Sequence, residues 1–124
     1  MSQSIPAGNI RLKRAYEPAN RDDGTRVLVD RLWPRGVRKA DAAVHRWAKE
    51  LAPSTALRKW FGHDPERWQE FRERYMREVR EQAESLAQLR GLARDGPITL
   101  VYAARDELHN DAVMLRDVLL GRHA

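Results

Sequence analysis

The chain has 124 residues, of which 42% are hydrophobic and 33% charged, as is typical of a single globular domain. It has no cysteine, which excludes disulfides, thiolate metal sites and cysteine nucleophiles and is typical of a cytoplasmic protein. No apolar run approaches the ~20 residues of a membrane span, so no membrane association is expected. The formal charge of +5 arises in residues 1–39, and this basic end is expected to face an anionic partner.

Three strands are predicted along the chain. Residues 1–8 are expected to form a flexible tail, and residues 9–124 a single α/β domain. The first strand covers residues 9–16, where apolar and basic residues alternate with the period of a strand. The second runs from Arg26 to Trp33 and opens with a buried run, Val27 to Val29. The third covers residues 97–103, which are apolar and β-branched.

Helices are predicted between and after these strands. A short helix follows Ser54, and a long one follows Asp64, with one apolar stripe from Trp68 to Leu89. The last helix begins at Asn110 and ends near residue 121. Residues 43–51 fit either a strand or a helix. Strands separated by helices predict an α/β fold with a small, largely parallel sheet of three to five strands, flanked by helices.

The ends of the second and third strands carry most of the residues suited to a site. If these strands are parallel neighbours, the residues that follow them meet at one edge of the sheet, where α/β folds bind ligands. Arginine suits bidentate recognition of phosphate or carboxylate, and a helix start offers backbone N–H donors. The predicted anion-binding residues are Arg31, Trp33, Arg35, Lys39, Arg105 and Asn110. Alternatively, pairs such as Arg31 with Asp106, or Asp30 with Arg105, only tie two loops together.

Candidates for catalysis are fewer. Asp30 or Asp106 would orient the arginines or act as general base. Ser54, His63 and Asp64 could form a nucleophilic triad, although Ser54 and Asp64 are more simply helix caps. The four histidines lack metal-ligand spacing, so neither a metal site nor a cofactor is predicted.

Several strings carry a resemblance to a known family. They are Arg14-Ala-Tyr16, residues 23–36 ending in Leu-Trp-Pro-Arg-Gly, Ala-Pro-Ser54, Leu-Arg-Lys-Trp-Phe-Gly-His-Asp64, Arg74-Tyr75 and Thr-Leu-Val-Tyr-Ala-Ala104. Across roughly residues 9 to 120, the chain resembles the YeaO-like branch of the uncharacterised bacterial proteins called domain of unknown function 488.

This resemblance implies a strand-loop-helix that in broader members carries Cys-His-Arg. The matching loop here, Glu107-Leu-His-Asn110, has no cysteine. The geometry is loosely similar to rhodanese and cysteine-phosphatase sites, so an anion-binding shell without its nucleophile is expected. The same comparison favours a strand around Trp47.

The leading functional hypothesis is a cytoplasmic domain that binds a phosphorylated or other anionic small molecule, or a nucleotide, in an arginine-lined pocket. The first alternative is a non-catalytic nucleic-acid-binding module that uses the basic N-terminal third. The second is a cysteine-independent hydrolase that uses aspartate and histidine.

Overall fold

Four parallel strands form the sheet at the centre of the computed structural model, which describes residues 5–122. They are β1 (Ile10–Arg14), β2 (Thr25–Leu28), β3 (Arg46–Trp47) and β4 (Ile98–Tyr102). Their order is β1-β4-β2-β3, and all three pairings are parallel. The predicted α/β fold with a small parallel sheet is therefore confirmed, and β2 and β4, the second and third predicted strands, are neighbours.

The strand β2 is shorter than predicted. It ends at Leu28, and the Val29 N–H still donates to the Val101 carbonyl oxygen at 3.1 Å. The prediction that the strand continues to Trp33 is wrong, because from Asp30 onward the chain leaves the ladder and enters a loop. At this exit the Asp30 side chain accepts the N–H of Ala103, the first residue after β4.

Five helices accompany the sheet: α1 (Lys39–Ala42), α2 (Thr55–Phe61), α3 (Trp68–Arg80), α4 (Ala83–Asp95) and α5 (Asp111–Leu120). The predicted starts of α2 and α5 are confirmed, since Ser54 accepts a hydrogen bond from the Leu57 N–H and Asn110 one from the Val113 N–H. Gly121, with φ of 76°, ends α5 in the left-handed conformation that glycine adopts without steric cost.

The predicted long helix is divided in two, which corrects the sequence-based prediction. The N–H groups of Glu81 and Gln82 donate to carbonyl oxygens three residues earlier, at Glu78 and Val79, and so tighten and close α3. The segment then restarts as α4. The apolar stripe stays in phase across this interruption, which is why the periodicity does not reveal it.

The ambiguous segment at residues 43–51 contains both kinds of structure. Arg46 and Trp47 form β3 beside β2, as the family resemblance favours, and Lys49–Leu51 form a single 3-10 turn. The Trp47 indole N–H donates to the Asp30 carbonyl oxygen at 2.7 Å. This edge strand therefore braces the loop that follows β2.

The main hydrophobic core lies on one face of the sheet. Along β2 and the residue after it, Val27 and Val29 point into this core, whereas Leu28 joins a smaller cluster with Val101 and Ala15 on the other face. Side chains from α2, α3, α4 and α5 complete the main core. Helices therefore cover the sheet on the face that carries the main core.

A buried ion-pair network ties β2 to the preceding turn. Arg26, which is 2% exposed, donates from Nη1 to Asp23 Oδ2 at 2.6 Å and from Nε to the Ala42 carbonyl oxygen at 2.8 Å. Lys13 Nζ lies 3.1 Å from the other carboxylate oxygen of Asp23. Two basic residues of the N-terminal third are thus held inside the fold.

The predicted tail, residues 1–8, falls partly outside the described residues, which begin at Ile5. Within the described part, Ile5 packs against the main core and Ala7–Asn9 form a 3-10 turn. No helix between residues 5 and 122 combines the length and apolar character that crossing a bilayer requires.

Candidate functional site

A cavity of about 750 Å³ opens at the edge of the sheet where β2 and β4 end. Its walls come from the loop after β2, from α2 and the turn after it, and from the loop that joins β4 to α5. Four of its apolar lining residues are buried: Pro34, Pro53, Phe61 and Phe71. Arg35, Lys59 and Arg105 are exposed and lie at its mouth.

The structure brings together eight of the eleven candidate site residues that the sequence singled out, and Ser54 and Asp64 of the triad lie outside the cavity. The cavity is lined by Asp30, Arg31, Trp33, Arg35, His63, Arg105, Asp106 and Asn110. Lys39 does not line it. That residue is exposed at the first position of α1, because the chain turns away at Gly36, whose φ is 80°.

Two of these residues are partly committed to the protein itself. The Arg31 guanidinium donates to the carbonyl oxygens of Pro53 and Ala52 at 3.1 and 3.3 Å. The Trp33 indole N–H donates to the Val37 carbonyl oxygen at 2.7 Å, and its ring meets Trp47 edge-on, with 5.4 Å between centroids. Both side chains therefore hold the loop after β2 in place as well as lining the cavity.

The loop between β4 and α5 is organised by Asp106. Its carboxylate accepts the backbone N–H groups of Leu108 and His109, at 2.9 and 3.0 Å, and lies 2.9 Å from His109 Nδ1. The first of these hydrogen bonds, followed by that of the His109 side chain, lowers the pKa of Asp106. Asn110 donates to the Asp106 carbonyl oxygen at 2.9 Å while it caps α5. Asp106 and Asn110 thus support this wall.

The Asp30 carboxyl group contacts both the end of β4 and a second carboxyl group. Its Oδ2 accepts the Ala103 N–H at 2.8 Å, which fastens the end of β2 to the end of β4. Its carboxyl group is also hydrogen bonded to that of Asp111, the first residue of α5. A hydrogen bond between two carboxyl groups requires a proton on one of them.

The environment decides which carboxyl group keeps that proton. Burial, followed by the neighbouring charge of Asp30, raises the pKa of Asp111 well above its usual range. Burial also raises the pKa of Asp30, but the hydrogen bonds from Asp111 and Ala103 and the charges of Arg58 and His63 partly offset it. Asp111 is therefore the carboxyl group of the pair that holds a proton more strongly.

The sequence also offered an alternative, in which ion pairs between these aspartates and arginines only tie two loops together. The structure does not contain those ion pairs among the residues that it describes, since neither Asp30 nor Asp106 forms an ion pair with Arg31 or Arg105. Each carboxylate is held mainly by backbone N–H groups and by another side chain. The arginines at the mouth are therefore not neutralised by these aspartates through direct contact.

Comparison with known proteins places the chain in a family. Residues 9–124 match a family model described as the inactive DUF488-N3 subclade. The chain belongs to the DUF488 family. It is 44% identical over 111 residues to the uncharacterized protein YeaO of Escherichia coli, covering 90% of this chain and 96% of that protein. It is 46% identical over 113 residues to the uncharacterized proteins MT3158 of Mycobacterium tuberculosis and Mb3100c of Mycobacterium bovis, covering 91% of this chain and 95% of each.

The likeness to rhodanese and cysteine phosphatases is not confirmed for this DUF488 member, and no solved structure gave a significant match. The chain has no cysteine to serve as a thiolate nucleophile. The loop that would carry it, Glu107–Asn110, is closed around the Asp106 carboxylate.

The serine triad considered from the sequence is not assembled. Ser54 Oγ donates to Glu78 Oε2 at 2.6 Å and accepts from Leu57, and Asp64 accepts the Glu66 N–H at 3.0 Å. Both are helix caps. His63 lines the cavity in a left-handed conformation, with φ of 56°.

Four ionisable residues that line the cavity of this DUF488 member were not predicted as site residues from the sequence: Arg58, Lys59, His109 and Asp111. The place of Asp111 directly after the Asn110 cap could have indicated that it faces the sheet edge. Arg58 and Lys59 lie on α2, whose position beside the cavity follows only from the packing of the chain. No group of three or more metal-ligating side chains occurs among the residues that the structure describes.

Proposed function

We propose that this protein binds a small anionic molecule, such as a phosphorylated metabolite or a nucleotide, in the cavity where β2 and β4 end. The observation that carries the proposal is the charge of the lining. Five basic side chains, Arg31, Arg35, Arg58, Lys59 and Arg105, line it against three aspartates, Asp30, Asp106 and Asp111. The excess of positive charge favours an anion.

The shape of the cavity also supports the proposal. Its volume, about 750 Å³, lies within the roughly 300–1,000 Å³ usual for small-molecule sites. Phe61 and Phe71 form an apolar part of its wall. The arginines at the mouth form no ion pairs with Asp30 or Asp106. Arginine is suited to the planar oxygens of phosphate and carboxylate.

Binding without turnover is the form of this function that we favour. The subclade whose model matches is described as inactive. The chain has no thiol, and the Ser54 hydroxyl is engaged as a helix cap. The hydrolase alternative then rests on Asp30, Asp106 and His63 without an assembled nucleophile.

The nucleic-acid alternative is weakened by how the basic N-terminal third is used. Six of its nine basic side chains donate to partners within the protein: Arg11, Lys13, Arg14, Arg26, Arg31 and Arg38. Arg14, for example, donates to the carbonyl oxygens of Ala103 and Ala104 and so braces the loop after β4. These side chains therefore have fewer free donors for the phosphates of a nucleic acid. The cytoplasmic location inferred from the lack of cysteine stays a prediction.

A thermal-shift screen tests the proposal. The probes are inorganic phosphate, AMP, ribose phosphate and a short oligonucleotide, each at low and moderate salt. Stabilisation by a small phosphorylated compound at both salt concentrations is the expected result, because a ligand of the folded state raises the melting temperature by mass action. Lys39→Ala, which removes a predicted residue outside the cavity, should respond like the wild type.

Two results would overturn the proposal. One is the absence of any shift with the small phosphorylated compounds. The other is a shift with the oligonucleotide alone that disappears at moderate salt, which is the behaviour of a nucleic-acid-binding surface.

A further inference from the structure

The cavity has different chemistry at its mouth and in its interior. At the mouth lie the exposed side chains of Arg35, Lys59 and Arg105. Further in, the partly buried carboxyl groups of Asp30 and Asp111 lie among apolar side chains. A simple anion such as phosphate would be attracted to the mouth, but further in it would meet carboxyl oxygens, which are hydrogen-bond acceptors like its own oxygens. The interior is therefore suited to a different chemical group of the ligand from the one that binds at the mouth.

Asp30 has hydrogen-bonding capacity that the protein does not use. An ionised carboxylate has about four acceptor positions. Among the described residues, Asp30 receives hydrogen bonds from the Ala103 N–H and from the Asp111 carboxyl group. Its remaining lone pairs border the cavity. A ligand that fills this interior must supply donors, since an unpaired buried carboxylate is costly.

We propose that the ligand is a phosphorylated molecule with hydroxyl groups, as in a sugar phosphate or a nucleotide. The arginines at the mouth bind its phosphate, and the Asp30–Asp111 pair accepts hydrogen bonds from its hydroxyls. This inference rests on the proposed function and specifies the class of ligand. The free sugar phosphate and the nucleotide share this chemistry and differ in the presence of a base.

Hydroxyl donors suit this interior better than an ammonium group. Asp30 already lies within the electrostatic reach of Arg58 and His63, whose charges favour its ionised form. A ligand cation at the same place would meet the positive charge of Arg58 in a setting where water screens it poorly. A neutral donor satisfies the free lone pairs of Asp30 without that repulsion.

The test compares two ligands that carry the same anion. Isothermal titration calorimetry with the full chain measures the dissociation constants of ribose phosphate and of ethyl phosphate, which lacks the hydroxyls. We expect ribose phosphate to bind at least about tenfold more tightly, as hydrogen bonds to a charged acceptor imply. AMP is the third ligand: tighter binding than ribose phosphate identifies a nucleotide site, and weaker binding a sugar phosphate site.

The variant Asp30→Asn tests whether the Asp30–Asp111 pair causes the preference for ribose phosphate over ethyl phosphate. The amide oxygen can still accept the Ala103 N–H, so the fold is retained, which circular dichroism checks. Ribose phosphate should lose about tenfold in affinity, whereas ethyl phosphate should bind as well as before or better. Asp41→Asn, an exposed aspartate outside the cavity, is the matched control and should change neither constant.

The outcomes separate this inference from the proposed function. Equal affinities for ribose phosphate and ethyl phosphate in the wild type would overturn the hydroxyl-binding role and leave anion binding intact. A preference that survives Asp30→Asn would overturn the assignment to the carboxyl pair. Failure of both compounds to bind would contradict the proposed function itself.

Discussion

Asp111, the first residue of α5, is hydrogen bonded through its carboxyl group to Asp30, the second residue after the end of β2. Since Asp30 also accepts the Ala103 N–H at 2.8 Å, one carboxyl group connects β2, the end of β4 and the start of α5. Two adjacent carboxyl groups in a partly buried place reduce stability at neutral pH. Such a cost is characteristic of residues kept for a binding or catalytic role.

Asp111→Asn is predicted to stabilise the protein at neutral pH. The folded-state pKa of Asp111 lies above its ordinary value of 3.8. The wild type therefore loses stability as the pH rises through that raised pKa, because the unfolded chain releases this proton more readily. Asparagine has no such proton, and its amide can still donate to Asp30. Urea denaturation at neutral pH should show a gain of about 0.5–2 kcal/mol.

The pH dependence provides the check on this mechanism. The gain from Asp111→Asn should shrink as the pH falls toward about 4, where the wild-type carboxyl is protonated in the unfolded chain as well. Asp41→Asn, at an exposed position, should change little at either pH. A variant that is less stable than the wild type at neutral pH would contradict the raised pKa of Asp111.

Asp23→Ala is predicted to be strongly destabilising. The change leaves the guanidinium of Arg26 buried without its ionic partner, and Nη2 of that group already lacks a hydrogen bond. Loss of one partner of a buried ion pair costs about 3–5 kcal/mol. Asp41→Ala, which breaks the exposed pair with Arg38, should cost less than about 1 kcal/mol. Chemical denaturation measures both, and similar losses would contradict the account.

Acid should selectively weaken the Asp23 network. Burial alone would raise the pKa of Asp23, but hydrogen bonds from the Asn20 N–H, Lys13 and Arg26 outweigh it and lower the pKa. The stabilisation is therefore present above the ordinary aspartate pKa and is lost as the pH falls through the lowered folded-state value. The difference in unfolding free energy between wild type and Asp23→Ala should accordingly narrow in acid. If the difference in unfolding free energy did not change with pH, loss of packing alone would explain the effect of Asp23→Ala, and the ionic account would be contradicted.

Gly24→Ala and Gly91→Ala are predicted to act in opposite directions. Gly24 has φ of 64°, and a Cβ there would overlap the carbonyl oxygen of Pro97, so alanine should destabilise by more than about 1 kcal/mol. Gly91 lies inside α4 with open space around it, so alanine should stabilise by about 0.5–1 kcal/mol. Thermal unfolding measures both, and a neutral Gly24→Ala would contradict this turn geometry.

The sequence was sufficient to predict where the cavity lies because local patterns determined the strands. The apolar runs before Asp30 and Arg105 predicted buried strands, and the parallel arrangement then placed the residues after them at one edge. Helix caps such as Ser54 and Asn110 were equally predictable from the sequence, since a cap depends on a few neighbouring backbone groups.

Features that depend on tertiary packing were not predictable in this way. The interruption after Arg80 leaves the apolar periodicity in phase, so no sequence signal marks it. Burial of Arg26 and the pairing of Asp111 with Asp30 each depend on a partner contributed by another element. Lys39 was placed in the site because of its charge, whereas the turn at Gly36 directs the chain away from the cavity.

The most direct test of anion binding in this cavity is calorimetric titration of ribose phosphate into the wild type and into the Arg35→Ala/Arg105→Ala double variant. Both side chains are exposed at the mouth, so their removal should leave the fold intact. We predict a loss of affinity of at least about tenfold, with Arg38→Ala, an exposed arginine outside the cavity, binding like the wild type. Unchanged affinity in the double variant, or an equal loss in Arg38→Ala, would contradict the account.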